Sequence, residues 1–363
     1  MFNPTRLAVA RQRSGLTMTA LAKQIGMSPR SVSAYEDGVQ PPPEVVERIA
    51  QVLGFPVAFF SGGDLDIPQI EAVSFRALTK MSAIERDRAR SQGALALELN
   101  KWIEERFDLP PPDLPDMSQE TDPEAAAASL RQQWGLGEAP IRNMIHLLEA
   151  KGVRVYSLAV ESLNVDAYSY WNDETPMTFL NTLKSAERSR FDAGHELAHL
   201  LLHRHAKKED ARLAEDEANC FASSLLMPRS GTLARAPRFV TIQHLIAHKK
   251  HWIVSVAALN HRLHELGVTN PWQYRHLSSE IAKRGYRTEE PDPALRESSQ
   301  VLSKVLAALR EDSLSQRDIA NTLHLRPSQL ERLIFGLTMT SLDGGMKSRG
   351  TQAGPAAQLR LVR

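Results

Sequence analysis

The chain has 363 residues, 42% of them hydrophobic and 24% charged, which suits two or three packed domains and excludes global disorder. A single cysteine, Cys220, rules out an intramolecular disulfide and a cysteine-rich metal cluster. The formal charge of +1 points to no partner, because 44 basic and 43 acidic residues cancel and hide local asymmetry.

The first 35 residues carry Arg6, Arg11, Arg13, Lys23 and Arg30 and no acid, a composition suited to phosphate. Within TALAKQIGMSPRSVSAYEDG, Leu21, Ala22 and Ile25 form the apolar face of one helix. Gly26 suits a tight turn that needs positive φ, Ser28 is placed to cap a second helix, and Pro29 fits its first turn. Val32 and Tyr35 then point inward. Ser28, Arg30, Ser31, Ser33 and Ala34, with Lys23 from the first helix, are left to face a DNA groove. This stretch resembles the XRE/Cro-type helix-turn-helix family through Gly26, Ser28, Tyr35-Glu36 and Gly38, and FPVAFF (55–60) resembles that family's closing helix. Pro29 replaces a commonly base-reading Gln, so no operator sequence carries over. The resemblance implies a double-stranded DNA operator and a homodimer on paired half-sites.

A charge-mixed helical stretch follows from about Met81 to Phe107. DLPPPDLPDMSQETDPEA then packs five prolines and six acids into 18 residues, which reads as a linker or an extended wrap. A helix precedes three β-like runs at 153–160, 165–171 and 176–181, the last read as an edge strand able to align a peptide. Tyr156, Tyr168 and Tyr170 in these runs are read as packing residues. Helical periodicity returns over Ala186–His203 and Ala211–Leu226 and continues to about Leu337. An echo at an offset of 298 relates Leu21, Ala22, Ile25, Met27, Pro29 and Val32 to Ile319, Ala320, Leu323, Leu325, Pro327 and Leu330, with His324 in place of the turn glycine.

His195-Glu196-Leu197-Ala198-His199 is an HExxH motif on a helix. Positions i and i+4 share a face, so His195 and His199 can grip one ion, while Glu196 can act as general base on a water. His205 has metzincin spacing for a third ligand, but Leu202 stands where a turning glycine is required. Glu215, with Asn219 four residues on, resembles the gluzincin pattern of a ligand Glu followed by a residue that orients a ligand His. Glu217 is the alternative ligand. His203 lies a further turn along the ligand face, as a cleft residue or a packed one, and Cys220 is read as a small core residue.

RFDAGHELAHLLLH followed by E-x-EAN-x-FA-x-x-LLMP resembles the ImmA/IrrE metallopeptidases. Ser74-Phe75-Arg76-Ala77, Leu109–Pro112, Gly285-Tyr286-Arg287 and Glu290-Pro291 match a subgroup fused to an XRE domain. Gly194 and Ala198 depart from the usual Ala and Gly. The resemblance implies a zinc ion (Mn or another divalent metal is an alternative), catalytic Glu196, ligands His195, His199 and Glu215, and cleavage of a protein such as a partner repressor or toxin-system component.

The expected fold is mainly α with a small β-sheet (α+β). A five-helix XRE-type domain occupies 1–62 and a helical connector with Pro-rich linker 63–124. A zincin-like (gluzincin-type) domain occupies 125–284, a helical region with a second helix-turn-helix-like unit 285–337, and a disordered tail 338–363. The expected function is a DNA-binding transcriptional regulator carrying a metalloendopeptidase. The alternative is a transcription factor or antitoxin whose zincin-like domain senses metal or ligand without proteolysis. No apolar run approaches the ~18 residues of a membrane span and no signal-peptide core is present, so a cytoplasmic protein with no membrane contact is expected.

Overall fold

A computed structural model describes residues 1–68, 82–158, 167–204 and 211–338. Ser74–Ala77, His205, the ends of the first and second β-like runs and the tail beyond 338 lie outside the described residues. The architecture is α+β, with helices surrounding one three-stranded sheet.

The N-terminal unit comprises α1 (Pro4–Arg13), α2 (Met18–Ile25), α3 (Pro29–Glu36), α4 (Pro43–Leu53) and a 3-10 turn at Val57–Ser61, where FPVAFF closes the unit. Thr17 caps α2, Gly26 turns the chain at φ 69°, and the Ser28 hydroxyl accepts from Ser31 N to start α3. Leu7, Leu21, Val32, Ile49 and Phe59 are fully buried between these helices. The guanidinium of Arg11 grips Glu36 of α3 at 2.6 and 3.0 Å and donates to the Leu16 carbonyl.

Helix α5 (Ala83–Glu104) is buried on several sides, so it behaves as a core element where composition reads as a connector. It receives α1 through the Arg6–Glu98 ion pair and through the Ser91 hydroxyl, which donates to Gln12. After it, the proline-rich segment is an extended wrap. Arg154 donates to the Pro110 carbonyl, Asp113 N donates to the Lys151 carbonyl, and Met117 N donates to the Leu201 carbonyl. The wrap passes over Gly152, whose φ of 79° and contact with the Pro111 backbone leave no room for a Cβ.

Helices α6 (Pro123–Gln133) and α7 (Met144–Ala150) lead to β1 (Arg154–Ser157), β2 (Ala167–Asn172) and β3 (Thr175–Leu180). The strand order is β1-β3-β2, with β1 parallel and β2 antiparallel to β3. This corrects the reading of 176–181 as an edge strand. The tight turn at Asp173 (φ 51°) pairs β2 to one side of β3, and β1 takes the other. One sheet face carries Tyr156, Tyr168, Tyr170 and Phe179 and packs on α5, where Tyr156 Oη donates to Asn100 and Tyr168 Oη to the Ala89 carbonyl. The other face carries Ser169 and Trp171 toward α8 (Ala186–Leu202), and Trp171 Nε1 donates to the Leu200 carbonyl.

Helix α9 (Ala211–Leu226) lies along α8, closest where Gly194 faces Ala222. Beyond come α10 (Arg229–Arg235), α11 (Ile242–Trp252), α12 (Val256–Glu265), α13 (Pro271–Lys283), α14 (Gln300–Glu311), α15 (Gln316–Thr322) and α16 (Pro327–Ile334). The echo at offset 298 extends to the backbone. Ser313 (φ 60°) and His324 (φ 53°) repeat the left-handed turns of Gly15 (φ 67°) and Gly26 (φ 69°). Helix α16 packs on β1 and α5, and Gln329 Nε2 donates to the Gly54 carbonyl of the N-terminal unit.

Replacing Gly152 with Ala strains the left-handed backbone and pushes the wrap away, so Gly152→Ala is expected to lower unfolding stability by more than about 1 kcal/mol in chemical denaturation.

Candidate functional site

Helix α8 starts at Ser185, whose hydroxyl accepts from Arg188 N, and sets His195 and His199 on one face. Their Nε2 atoms lie 3.1 Å apart. Across from them, Glu215 of α9 brings Oε2 to 3.5 Å from His195 Nε2 and Oε1 to 3.4 Å from His199 Nε2. These three ligand atoms all lie within 4.8 Å of one another, a group that could hold a metal ion. Ligands about 2.0–2.2 Å from a tetrahedral ion stand about 3.3–3.6 Å apart, so the spacing fits.

The outer nitrogens support the same reading. Asn219 Oδ1, an acceptor only, lies 3.1 Å from His195 Nδ1, so this nitrogen donates, which in the neutral form of the ring leaves the lone pair on Nε2. His199 Nδ1 lies 2.9 Å from His203 Nδ1, and His203 Nε2 lies 2.9 Å from Glu217 Oε2. Glu217 therefore faces His203, while Glu215 is the carboxylate brought to the histidine pair. Burial, with His195 and His203 adding to it against the pull of Glu215, takes His199 down to about 4 and keeps it neutral at pH 7. Burial opposes the charge on Glu215, but the two imidazoles beside it hold it well below the usual carboxylate range.

Glu196 is buried against the sheet, with the Ser169 hydroxyl 2.6 Å from its Oε2. Burial pushes its carboxyl up to about 7, against the opposing effects of His195 and Ser169. A cleft of about 680 Å3 opens beside these groups, lined by Arg188, Glu196, Glu215 and Asn219 and, from other elements, by Tyr274, Tyr286 and Arg287. Two of its lining carboxylates, Glu187 and Glu290, share a buried cation, with Lys249 Nζ 2.9 Å from the first and 3.2 Å from the second. The GYR and EP residues thus serve one feature: Tyr286, Arg287 and Glu290 all line the cleft, and Glu290 is held by Lys249.

Sequence reasoning missed Tyr274, Ser169 and the His203–Glu217 contact and gave Tyr286 no place in a cleft, since no spacing rule joins residues from separate elements. The strand tyrosines Tyr156 and Tyr168 spend their hydroxyls on α5. Cys220 is half-buried on α9.

On the N-terminal unit, Lys23, Ser28 and Arg30 are exposed, and Ser31, Ser33 and Ala34 are half-buried along the outer side of α3. The Ser28 and Ser31 hydroxyls lie 2.9 Å apart, and Ser33 Oγ donates to Asp37 at 3.3 Å. Arg6 and Arg11 do not join this face, because both are buried in ion pairs with Glu98 and Glu36. The basic head therefore presents less charge to phosphate than its composition suggests.

Residues 148–264 match the IrrE N-terminal-like domain of peptidase family M78, and residues 5–58 match a helix-turn-helix domain. No curated protein matches the chain. The chain thus joins an N-terminal helix-turn-helix domain to an IrrE N-terminal-like domain of the metallopeptidase type. No helix among the described residues is long and apolar enough to cross a membrane.

Removing the Lys249 ammonium leaves the buried side chains of Glu187 and Glu290 with backbone donors but no counter-ion. Lys249→Met is expected to cost roughly 3–5 kcal/mol, read by chemical denaturation of the full chain.

Proposed function

From a chain that couples these two domains, we propose a sequence-specific DNA-binding transcriptional regulator carrying a zinc-dependent metalloendopeptidase. It cleaves a partner regulator, or itself, in response to a signal. The observation that carries this reading is the convergence of His195, His199 and Glu215 beside buried Glu196 at a cleft. In this reading the first three residues hold the ion, Asn219 orients His195, and Glu196 is the general base. A bound zinc ion supplies Lewis-acid chemistry, acidifying a water and polarising a scissile carbonyl.

The chain's own residues do the rest. Glu196 takes a proton from the attacking water as its oxygen bonds to the carbonyl carbon. It returns the proton to the amine nitrogen as the C–N bond breaks. A carboxyl titrating near neutrality suits both transfers, and the Ser169 hydroxyl fixes its direction. Strand β2 has a strand neighbour only on its β3 side among the described residues, so its other edge is placed to align an extended peptide.

At the other end of the chain, Lys23, Ser28, Arg30, Ser31, Ser33 and Ala34 meet a major groove. Two copies of the chain read paired half-sites, and the protein works in the cytoplasm beside its operator.

Metal-loaded protein incubated with products of neighbouring genes tests the peptidase. One zinc ion per chain is expected, lost in Glu215→Ala, and Glu196→Gln should keep the ion while slowing cleavage by about 100-fold or more. Cleavage unchanged by Glu196→Gln overturns the mechanism. Operator affinity that follows metal loading, with no cleavage of any partner, favours the sensing alternative instead.

DNA binding is tested by salt titration with the true operator. Arg30→Ala should weaken affinity and lower the salt slope by about 1. Arg11→Met, measured where it remains folded, should leave the slope unchanged.

A further inference from the structure

The contact between His203 and Glu217 belongs to neither the ligand set nor the general base. Helix α8 carries His195, His199 and His203 at steps of four, with ring centroids 4.8 and 5.0 Å apart. His203 closes the helix, its backbone N donating to the His199 carbonyl at 3.2 Å, and its side chain is nearly buried. Both of its ring nitrogens are engaged, Nε2 by Glu217 and Nδ1 by His199, each at 2.9 Å.

We infer that Glu217 and His203 form a positioning relay that fixes the tautomer and ring plane of His199. The proton inventory of a neutral pair allows one arrangement. An ionised carboxylate only accepts, so His203 Nε2 carries the hydrogen given to Glu217. His203 Nδ1 then holds a lone pair and accepts from His199 Nδ1–H. His199 Nε2 is left with its lone pair aimed at His195 and Glu215. Asn219 does the same for His195 directly, so each imidazole is held from behind, one by an amide and the other by a histidine and a carboxylate in series. The relay also gives Glu217 its place: it reaches the metal-binding cluster through His203.

This inference rests on the reading of His199 as a metal ligand. Its test is zinc affinity, read by competition with a chromophoric chelator, together with thermal unfolding of the metal-free protein. His203→Ala and Glu217→Ala should each weaken zinc binding by about 10- to 100-fold. The metal-free protein should remain folded at the assay temperature, its unfolding temperature lowered by no more than the loss of one buried hydrogen bond allows. Because Glu217 acts through His203, the double variant should bind no more weakly than His203→Ala alone. His203→Gln presents one acceptor and one donor and should recover most of the lost affinity.

Multiplicative losses in the double variant, or a fall in metal-free stability that accounts for the weaker binding, overturn the relay. So does zinc affinity that collapses in His199→Ala but is unchanged in both His203→Ala and Glu217→Ala. A wild-type chain that takes up no zinc overturns the metal-centre reading and the relay together.

Discussion

Helix α8 is buried along most of its length and yet carries Glu187, Arg190, His195, Glu196 and His199. A buried polar group left without a partner costs about 1–3 kcal/mol, and more if charged, so each of these side chains obliges another element to come to it. Lys249 of α11 and the backbone of Ala294 answer Glu187. Glu297 and the Ile141 carbonyl answer Arg190, and the same Glu297 carboxylate accepts from Met144 N and Ile145 N at the start of α7. Ser169 of β2 answers Glu196, Asn219 answers His195, and His203 answers His199. The helix that bears the HExxH motif is therefore also the scaffold on which the C-terminal half assembles.

The close approach of α8 and α9 decides which carboxylate the histidines meet. Gly194 faces Ala222, where an added Cβ would stand 3.5 Å from the Ala222 side chain, so the two backbones run near each other. At that distance Glu215 reaches both Nε2 atoms, while Glu217, on another side of α9, reaches His203. Two residues of sequence separation turn the side chain by about 200° around a helix, enough to divide the two roles between the glutamates.

A similar economy governs the N-terminal unit. Its arginines divide between holding the fold and facing solvent: Arg11 ties α1 to α3, Arg6 ties α1 to α5, and Arg30 stays exposed. The C-terminal three-helix unit repeats the turn geometry of the first, but its last helix lies against the sheet and α5 and touches Gly54. One backbone pattern therefore occurs at both ends of the chain, the first copy packed on α5 through α1 and the second on the sheet and α5 through α16.

Features that depend on neighbouring residues were readable from the sequence. They include the helix caps, the turn at Gly26, the Val32 and Tyr35 stripe, and the i, i+4 placement of His195 and His199. Each follows from helical periodicity or local hydrogen bonding, which a short window contains. What required the tertiary structure was every choice between equivalent local options. Residues 176–181 read as an edge strand, and only the pairing of β1 and β2 placed them at the centre. Arg6 and Arg11 counted toward a basic head suited to phosphate, and only the tertiary structure sets Glu98 and Glu36 against them. Ser169 and Tyr274 had no local signature, and nothing local joined His203 to Glu217 or took Tyr286 to the cleft. The physical reason is common to all of them: charge, burial and strand edge are properties of what packs against a residue, and those partners come from other elements of the fold.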